Sequence, residues 1–369
     1  MEFGIFSESG VRGNPVAAHS YAEDLQEIVT ADRLGFREAW IAERASRSDR
    51  RTKDILSAAN VFLGAAGALT THIRLGTGIR PLAYYHPYTV ATEAAVCDHM
   101  TGGRFMLGYG GTHGTEGGDH HVQIGVPGED QRAMVYEAVE YIMKCFTCPE
   151  PFDFDGRFWH GRNIQILPRP LQQPHPPLAA ACSGAVETID LAARNGFIPL
   201  FGRGLDSPST IREWGDAYVK IAVEAGRPPS RGLFRVVRHV YVSSTRQAAR
   251  AELRAGMVPW IERRRSIRDL SGIMRWMEPG QTGDAYFDYL LDSGYVFVGD
   301  PDGVCEAVRN YYTESGGFGV LLVFAAQGYA PPERWDHSMR LIAEQVAPRL
   351  SQLDPDRDRT EASHRASAG

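Results

Sequence analysis

The side chains best able to bind a metal or move a proton crowd into one stretch, where His113, Glu116, Asp119, His120 and His121 follow one another closely. Imidazole and carboxylate suit zinc or iron. Interspersed glycines and the lack of helical spacing instead favour a solvated polar loop. Cys145 and Cys148 form a lone Cys-x-x-Cys without a second pair, so buried or bland thiols fit better than zinc or redox chemistry. His113 and His86 are the imidazoles available for general acid–base work. His86 precedes Pro87 at a helix start, which gives it a competing role as a structural cap. Ser183-Gly184 lies between a strand-like and a helix-like run. There, free backbone N–H groups at a helix start can hold a phosphate; a plain Ser N-cap is an equal reading of the same residues.

Several signatures are missing. The nearest approach to Gly-x-Gly-x-x-Gly, Gly108-Tyr109-Gly110-Gly111-Thr112-His113, has His113 where the third glycine belongs, so a built-in dinucleotide site of the doubly wound kind is unsupported. No phosphate-loop lysine, His-Glu-x-x-His or Gly-x-Ser-x-Gly occurs. A chain this poor in polar catalytic clusters would lean on a cofactor for its hard chemistry.

The elements that must position these residues alternate from the first residue onward. Strands are predicted at Met1–Phe6, Glu38–Ala42, Ile73–Ile79, Arg104–Tyr109, Leu178–Ala181, Phe197–Phe201, Arg235–Val242 and Gly319–Phe324, each followed by a helical pattern. The first helices are expected at Tyr21–Leu34, Asp54–Thr70, Pro87–Met100, Ala133–Phe146 and Val186–Arg194. Eight strand–helix units predict right-handed crossovers and a closed parallel (β/α)8 TIM barrel with loop insertions, an open doubly wound sheet being the alternative. One barrel domain over 1–350 is expected, with a polar, disordered tail over 351–369. Insertions fall at Gly110–Glu129, Thr147–Pro177 and Val258–Val298. In such a barrel chemistry sits at the carboxyl ends of the strands. That rule selects Phe6 to Glu8, Glu43 and Arg44, Gly78 to Arg80, Gly110 to His113, Ser183-Gly184, Gly202-Arg203 and Ala325 to Gln327.

Of 369 residues 43% are apolar and 23% charged, enough to bury a core, and the formal charge of −6 gives no general attraction for nucleic acid or an anionic membrane. No apolar run is long enough for a spanning helix, and the start lacks the basic and apolar regions of a secretory signal. Five cysteines without framework spacing complete the expectation of a cytoplasmic protein.

Ordered blocks then carry a resemblance. Met1–Phe6, Leu34-Gly35-Phe36 with Trp40-Ile41-Ala42-Glu43, Ile73–Gly78, His86-Pro87 and Asp98–Phe105 resemble the opening half of the bacterial-luciferase-like flavin monooxygenases. Asp155-Gly156, Pro168–Pro170, Pro174–Pro177, Gly299–Asp302 and Gly316–Leu322 continue it, most like the limonene- and alkanal-monooxygenase branch. The resemblance implies a barrel that takes reduced FMN from a separate flavin reductase, forms a flavin hydroperoxide with O2 in a dry pocket, and passes one oxygen atom to an apolar organic substrate. A terpenoid, aliphatic carbonyl or polyketide-like compound would suit it, by hydroxylation, epoxidation or Baeyer–Villiger insertion. A homodimer is also implied.

The same resemblance assigns residues. Ser183 and Gly184 would hold the FMN phosphate with help from Arg132, whose competing role is an exposed helix-start arginine. Gly78-Ile79 would form a non-prolyl cis peptide under the flavin ring, and Phe6 and Glu43 would line the pocket. Two departures matter. The histidine pair that follows the glutamate in luciferases, one of them the catalytic base, is Arg44-Ala45 here; Arg44 stays protonated and could steady a peroxide anion or a substrate carboxylate but accept no proton. Gly110-Gly111 replaces a Cys-Arg pair, so His113 or Arg203 would have to compensate for a lost phosphate contact. The alternatives are a deazaflavin-dependent oxidoreductase of the same superfamily, for which Arg44, Arg80 and Arg203 could form a basic channel, and a flavin-binding barrel without catalysis. A metal hydrolase is a more distant one.

Overall fold

Strands buried on both faces need near-continuous apolar sequence, and the computed structural model places a strand in each of the eight expected runs. The strands are β1 (Glu2–Ser7), β2 (Glu38–Ile41), β3 (Arg74–Thr77), β4 (Arg80–Pro81), β5 (Phe105–Gly110) and β6 (Phe152–Asp155). They continue as β7 (His160–Ile164), β8 (Leu178–Cys182), β9 (Ile198–Gly204), β10 (Arg235–Val242), β11 (Val296–Gly299) and β12 (Val320–Phe324). The short β4, the β6–β7 hairpin and β11 were not expected. The main helices are α1 (Ala17–Arg33), α2 (Ala59–Leu69), α3 (Pro87–Met100), α4 (Gln131–Thr147) and α5 (Val186–Asn195). After them come α6 (Pro208–Glu224), α7 (Arg246–Ser266), α8 (Gly283–Asp292), α9 (Pro301–Glu314) and α10 (Pro332–Leu341). The structure describes residues 1–7, 17–43, 58–111, 130–204, 206–228, 230–266, 276–294, 296–325 and 330–356. The helix expected at Asp54–Thr70 is seen from Ala59 on, its first residues lying outside the described ones.

Two compact units make up the chain, residues 6–181 and residues 1–5 with 182 onward. In the first, β2, β3, β5 and β8 pair in parallel, in that order, and β4 adds to the end of β5. The end of β1 joins them where Ala42 N donates to Ser7 O at 2.8 Å. Trp40 is fully buried, and its ring takes the space of side chains that Gly76 and Gly108 do not have: a Cβ on Gly76 would lie 2.5 Å from the indole. On Gly108 it would lie 1.8 Å from the Thr77 carbonyl oxygen, so these two strands can meet only with glycine there.

Buried polar side chains fasten the ends of the elements. Asp32, near the end of α1, accepts hydrogen bonds from the N–H groups of Thr71, His72 and Ile73 at 2.9, 2.9 and 2.7 Å, fixing the turn into β3. Arg104 donates to Gly67 O and Thr70 O at 3.0 Å each, closing the last turn of α2. Glu137 on α4 accepts from the N–H groups of Arg157, Phe158 and Trp159, which holds the β6–β7 hairpin on that helix.

In the second unit β10 is central and wholly buried, with parallel pairing to β9, β11 and β12. Glu2 N donates to Gly319 O at 2.8 Å, setting the start of β1 beside β12. Residues 351–356, the described part of the expected tail, end in Asp356, whose carboxylate accepts from Arg231 N at 2.9 Å and Gly232 N at 3.1 Å. Among the described residues no helix is long and apolar enough to cross a membrane.

Candidate active site

Within residues 6–181 the strand ends converge on a surface with few side chains. The step Gly78–Ile79, between β3 and β4, is a non-prolyl cis peptide, as the resemblance implied. A Cβ on Gly78 would lie 2.8 Å from Phe6 Cε2 and 3.2 Å from Trp40 Cβ. A Cβ on Gly110 would meet Ile79 at 3.0 Å and Ala181 at 3.2 Å. Phe6, Gly78, Ile79, Gly110 and Ala181 are thus brought together into an apolar floor on which a planar ring system could rest.

Glu43 takes a different place. Its Oε2 accepts from Arg80 Nη1 at 2.7 Å and Ala59 N at 3.0 Å, and its Oε1 accepts from Tyr85 Oη at 2.8 Å. The carboxylate therefore caps α2, whose N-cap residue Ala58 supplies no side-chain bond, and pairs with Arg80. With its oxygens engaged in this way, Glu43 anchors the start of α2 and the Arg80 side chain. Burial first, and then the nearby Glu43 carboxylate, push the Tyr85 phenol well above its ordinary range, so Tyr85 stays a hydrogen-bond donor. Arg80 also donates to Glu93 Oε2 at 2.8 Å. Held by two carboxylates, it is not a spare cation for a basic channel.

His86 is the N-cap of α3, its Nδ1 accepting from Tyr88 N at 3.2 Å, and its ring packs edge-on against Tyr141 and Trp159. Partial burial holds its pKa below the usual value. The structural role weighed against catalysis is the one the geometry displays. Arg132 stands exposed in the first turn of α4. Arg44 and His113 lie outside the described residues, as do Glu116, Asp119, His120 and His121. Cys145 is buried, and burial pushes its thiol up to about 12, which keeps it inert.

In the other unit, Ser183-Gly184 connects β8 to α5. The N-cap is Ala185 rather than Ser183, and its side chain makes no capping hydrogen bond. Gly184 has φ of +101° with Trp214 directly beside it, 3.1 Å from where a Cβ would stand. The positive end of a helix N-terminus is where an anionic group such as a phosphate can sit.

The family model for luciferase-like monooxygenases matches residues 1–317. This chain therefore belongs to the luciferase-like monooxygenase family: it is an oxidoreductase of the flavin-dependent monooxygenase class on a (β/α)8 barrel. It is similar to 4-hydroxyprotoasukamycin monooxygenase of Streptomyces nodosus subsp. asukaensis, 31% identical over 333 residues, covering 89% of this chain and 86% of that one. Limonene 1,2-monooxygenase of Rhodococcus erythropolis is 28% identical over 363 residues, covering 95% and 87%. The fold is shared with the oxygenating constituent of 3,6-diketocamphane monooxygenase from Pseudomonas putida in complex with FMN, at a TM-score of 0.76 and 23% identity, covering 94% and 98%. It is also shared with a coenzyme F420-dependent tetrahydromethanopterin reductase from Methanopyrus kandleri, at a TM-score of 0.68 and 18% identity, over 94% and 98%.

What sequence reasoning missed is the partnership of Glu43, Tyr85 and Glu93 around Arg80. The available signal was a chain of charged residues inside apolar elements, since buried charges require partners.

Proposed function

We propose that this chain is the oxygenase of a two-component system that receives reduced FMN from a separate flavin reductase and uses O2 to place one oxygen atom on a small apolar organic molecule. The carrying observation is the close approach of Phe6, Gly78, Ile79, Gly110 and Ala181 at the strand ends, an apolar cluster against which a ring system would rest. Taken by itself, the start of α5 after Ser183-Gly184 is a place where a phosphate would be held. When bound, reduced FMN supplies the two electrons that take one atom of O2 to water while the other enters the substrate. The protein's share is positional. Phe6 and Ile79 would keep water from the reacting face. The relative that is an oxygenating constituent supports the separate reductase. Hydroxylation, epoxidation and Baeyer–Villiger insertion all fit so apolar a floor.

A homodimer fits the outward face of α2 and α3, where Val61 (77% exposed), Leu69 (56%) and Met100 (54%) stand with the exposed Ala65, Ala68 and Val96. The five cysteines are free thiols, in keeping with a reducing cytoplasm. The shared fold of the F420-dependent reductase favours deazaflavin hydride transfer as the second reading. Incubation with 18O2, reduced FMN and a panel of terpenoid and aliphatic carbonyl compounds tests the proposal. One labelled atom in the product supports it. Turnover without label, or turnover that needs reduced deazaflavin and ignores O2, contradicts it.

A further inference from the structure

We propose that Arg80 is a positioning residue for the cofactor floor, clamping the segment 78–81 so that Gly78 and Ile79 present one fixed surface; this rests on the flavin reading above. Arg80 follows directly on the floor residues. In β4 it pairs with Tyr109, and Pro81 with Gly110, which ties the segment to β5 on one side. On the other side only its side chain reaches out. The guanidinium bonds Glu43 Oε2 at 2.7 Å and Glu93 Oε2 at 2.8 Å, and lies 3.7 Å from the centre of the Tyr85 ring. Both carboxylate oxygens serve further elements: Glu43 Oε2 also takes Ala59 N at 3.0 Å, and Glu93 Oε2 takes Asn60 Nδ2 at 3.0 Å. One arginine thus joins β4 to β2, α2 and α3.

As a device for stability this cluster is poor. Arg80 is 3% exposed and the Glu43 side chain fully buried, while Arg80 Nε has no hydrogen-bond partner among the described residues. Two carboxylates face one guanidinium, and apolar residues of the same volume would commonly serve stability as well or better. What apolar residues could not supply is direction. A rigid planar fork stacked on a ring fixes the backbone that carries it in two dimensions at once.

The test uses Arg80→Lys and Glu93→Gln in the full chain. Lysine keeps a charge for Glu43 but cannot bridge both carboxylates in one plane. Glu93 is 40% exposed, so its neutral variant leaves no buried charge alone. Three readouts are taken: affinity for dithionite-reduced FMN by anaerobic ultrafiltration, visible circular dichroism of the bound flavin, and the melting temperature without flavin. The expected result is binding at least about tenfold weaker, about 1.4 kcal/mol, with altered bound-flavin dichroism in both variants and melting within about 3 °C of wild type. Variants that bind with wild-type affinity and dichroism overturn the assignment alone. Weakening that only accompanies a matching fall in melting temperature also overturns it, leaving Arg80 a residue of the fold. Wild-type protein that does not bind reduced FMN overturns the flavin reading, and the assignment with it.

Discussion

Asp32→Ala should destabilise the chain by about 2–4 kcal/mol, and the figure follows from which donors it strands. The carboxylate is 9% exposed and receives three backbone N–H groups, together with the Thr71 hydroxyl at 3.3 Å. Hydrogen bonds to a charged group contribute about 1.5–3 kcal/mol each, but they do not simply add. Thr71 and His72 are exposed, so their N–H groups can turn to water once the carboxylate is gone. Ile73 is fully buried and cannot, which leaves one stranded donor and the lost charge-assisted bonds as the main penalty. Asp32→Asn keeps an acceptor for the Ile73 and His72 pair and presents an NH2 to Thr71, so about 1–2 kcal/mol is expected. The pH dependence has a definite sign. Burial alone would raise the Asp32 pKa, but the backbone bonds from Thr71, Ile73 and His72 outweigh it and hold the carboxyl below its ordinary range. The folded pKa is depressed, so this stabilisation is present above the unfolded value of about 3.9 and is lost as pH falls through the folded one. Urea unfolding followed by tryptophan fluorescence at pH 7 and at pH 3–4 measures all three forms. An alanine variant within 0.5 kcal/mol of wild type, or an asparagine variant as unstable as the alanine one, would refute the reasoning.

His86→Ala removes the α3 cap and should cost about 0.5–2 kcal/mol. Because the His86 pKa is lowered in the fold, wild type should lose this contribution as pH falls from about 6.5, and the variant should show a flatter stability profile between pH 7 and 5. Gly108→Ala forces a Cβ onto the Thr77 carbonyl oxygen, which cannot swing aside, so little soluble folded protein is expected; near-normal yield and melting temperature would contradict that close approach. For the proposed homodimer, light scattering should report a dimer for wild type and monomers for Val61→Glu with Leu69→Glu, which places two charges on the exposed α2 face. A dimer that survives both changes places the interface elsewhere.

Most of the main strands were legible because they are short, largely apolar runs with a helical pattern after them, as β5 and β12 show. The β6–β7 hairpin was not, since Phe152–Asp155 is only four residues long and His160–Ile164 has Ile164 as its one apolar side chain, both inside a proline-rich stretch. β11 was hidden by its four-residue length. At the site, Phe6, Gly78 and Ile79 could be found from strand ends alone. Glu43 was found, but its partners were not, because a sequence does not say which face of a strand end meets the helices. Arg80, Tyr85 and Glu93 are joined to it only by the packing of α2 and α3. The blocks that carried the resemblance prove largely architectural. Arg104 closes α2, Asp98 accepts from Gln172 N and Nε2 at 2.7 Å each, and a Cβ on Gly156 would stand 2.1 Å from Glu137 Oε1. Such blocks identify a family reliably while saying little about its substrate.

The central claim is that this chain holds reduced FMN and governs its reaction with O2. Anaerobic titration with reduced FMN, then mixing with oxygenated buffer while flavin absorbance and hydrogen peroxide are recorded, measures both at once. The account predicts a stoichiometric complex in which flavin reoxidises more slowly than it does free, with delayed peroxide release. No complex, or reoxidation at the rate of free flavin, contradicts it.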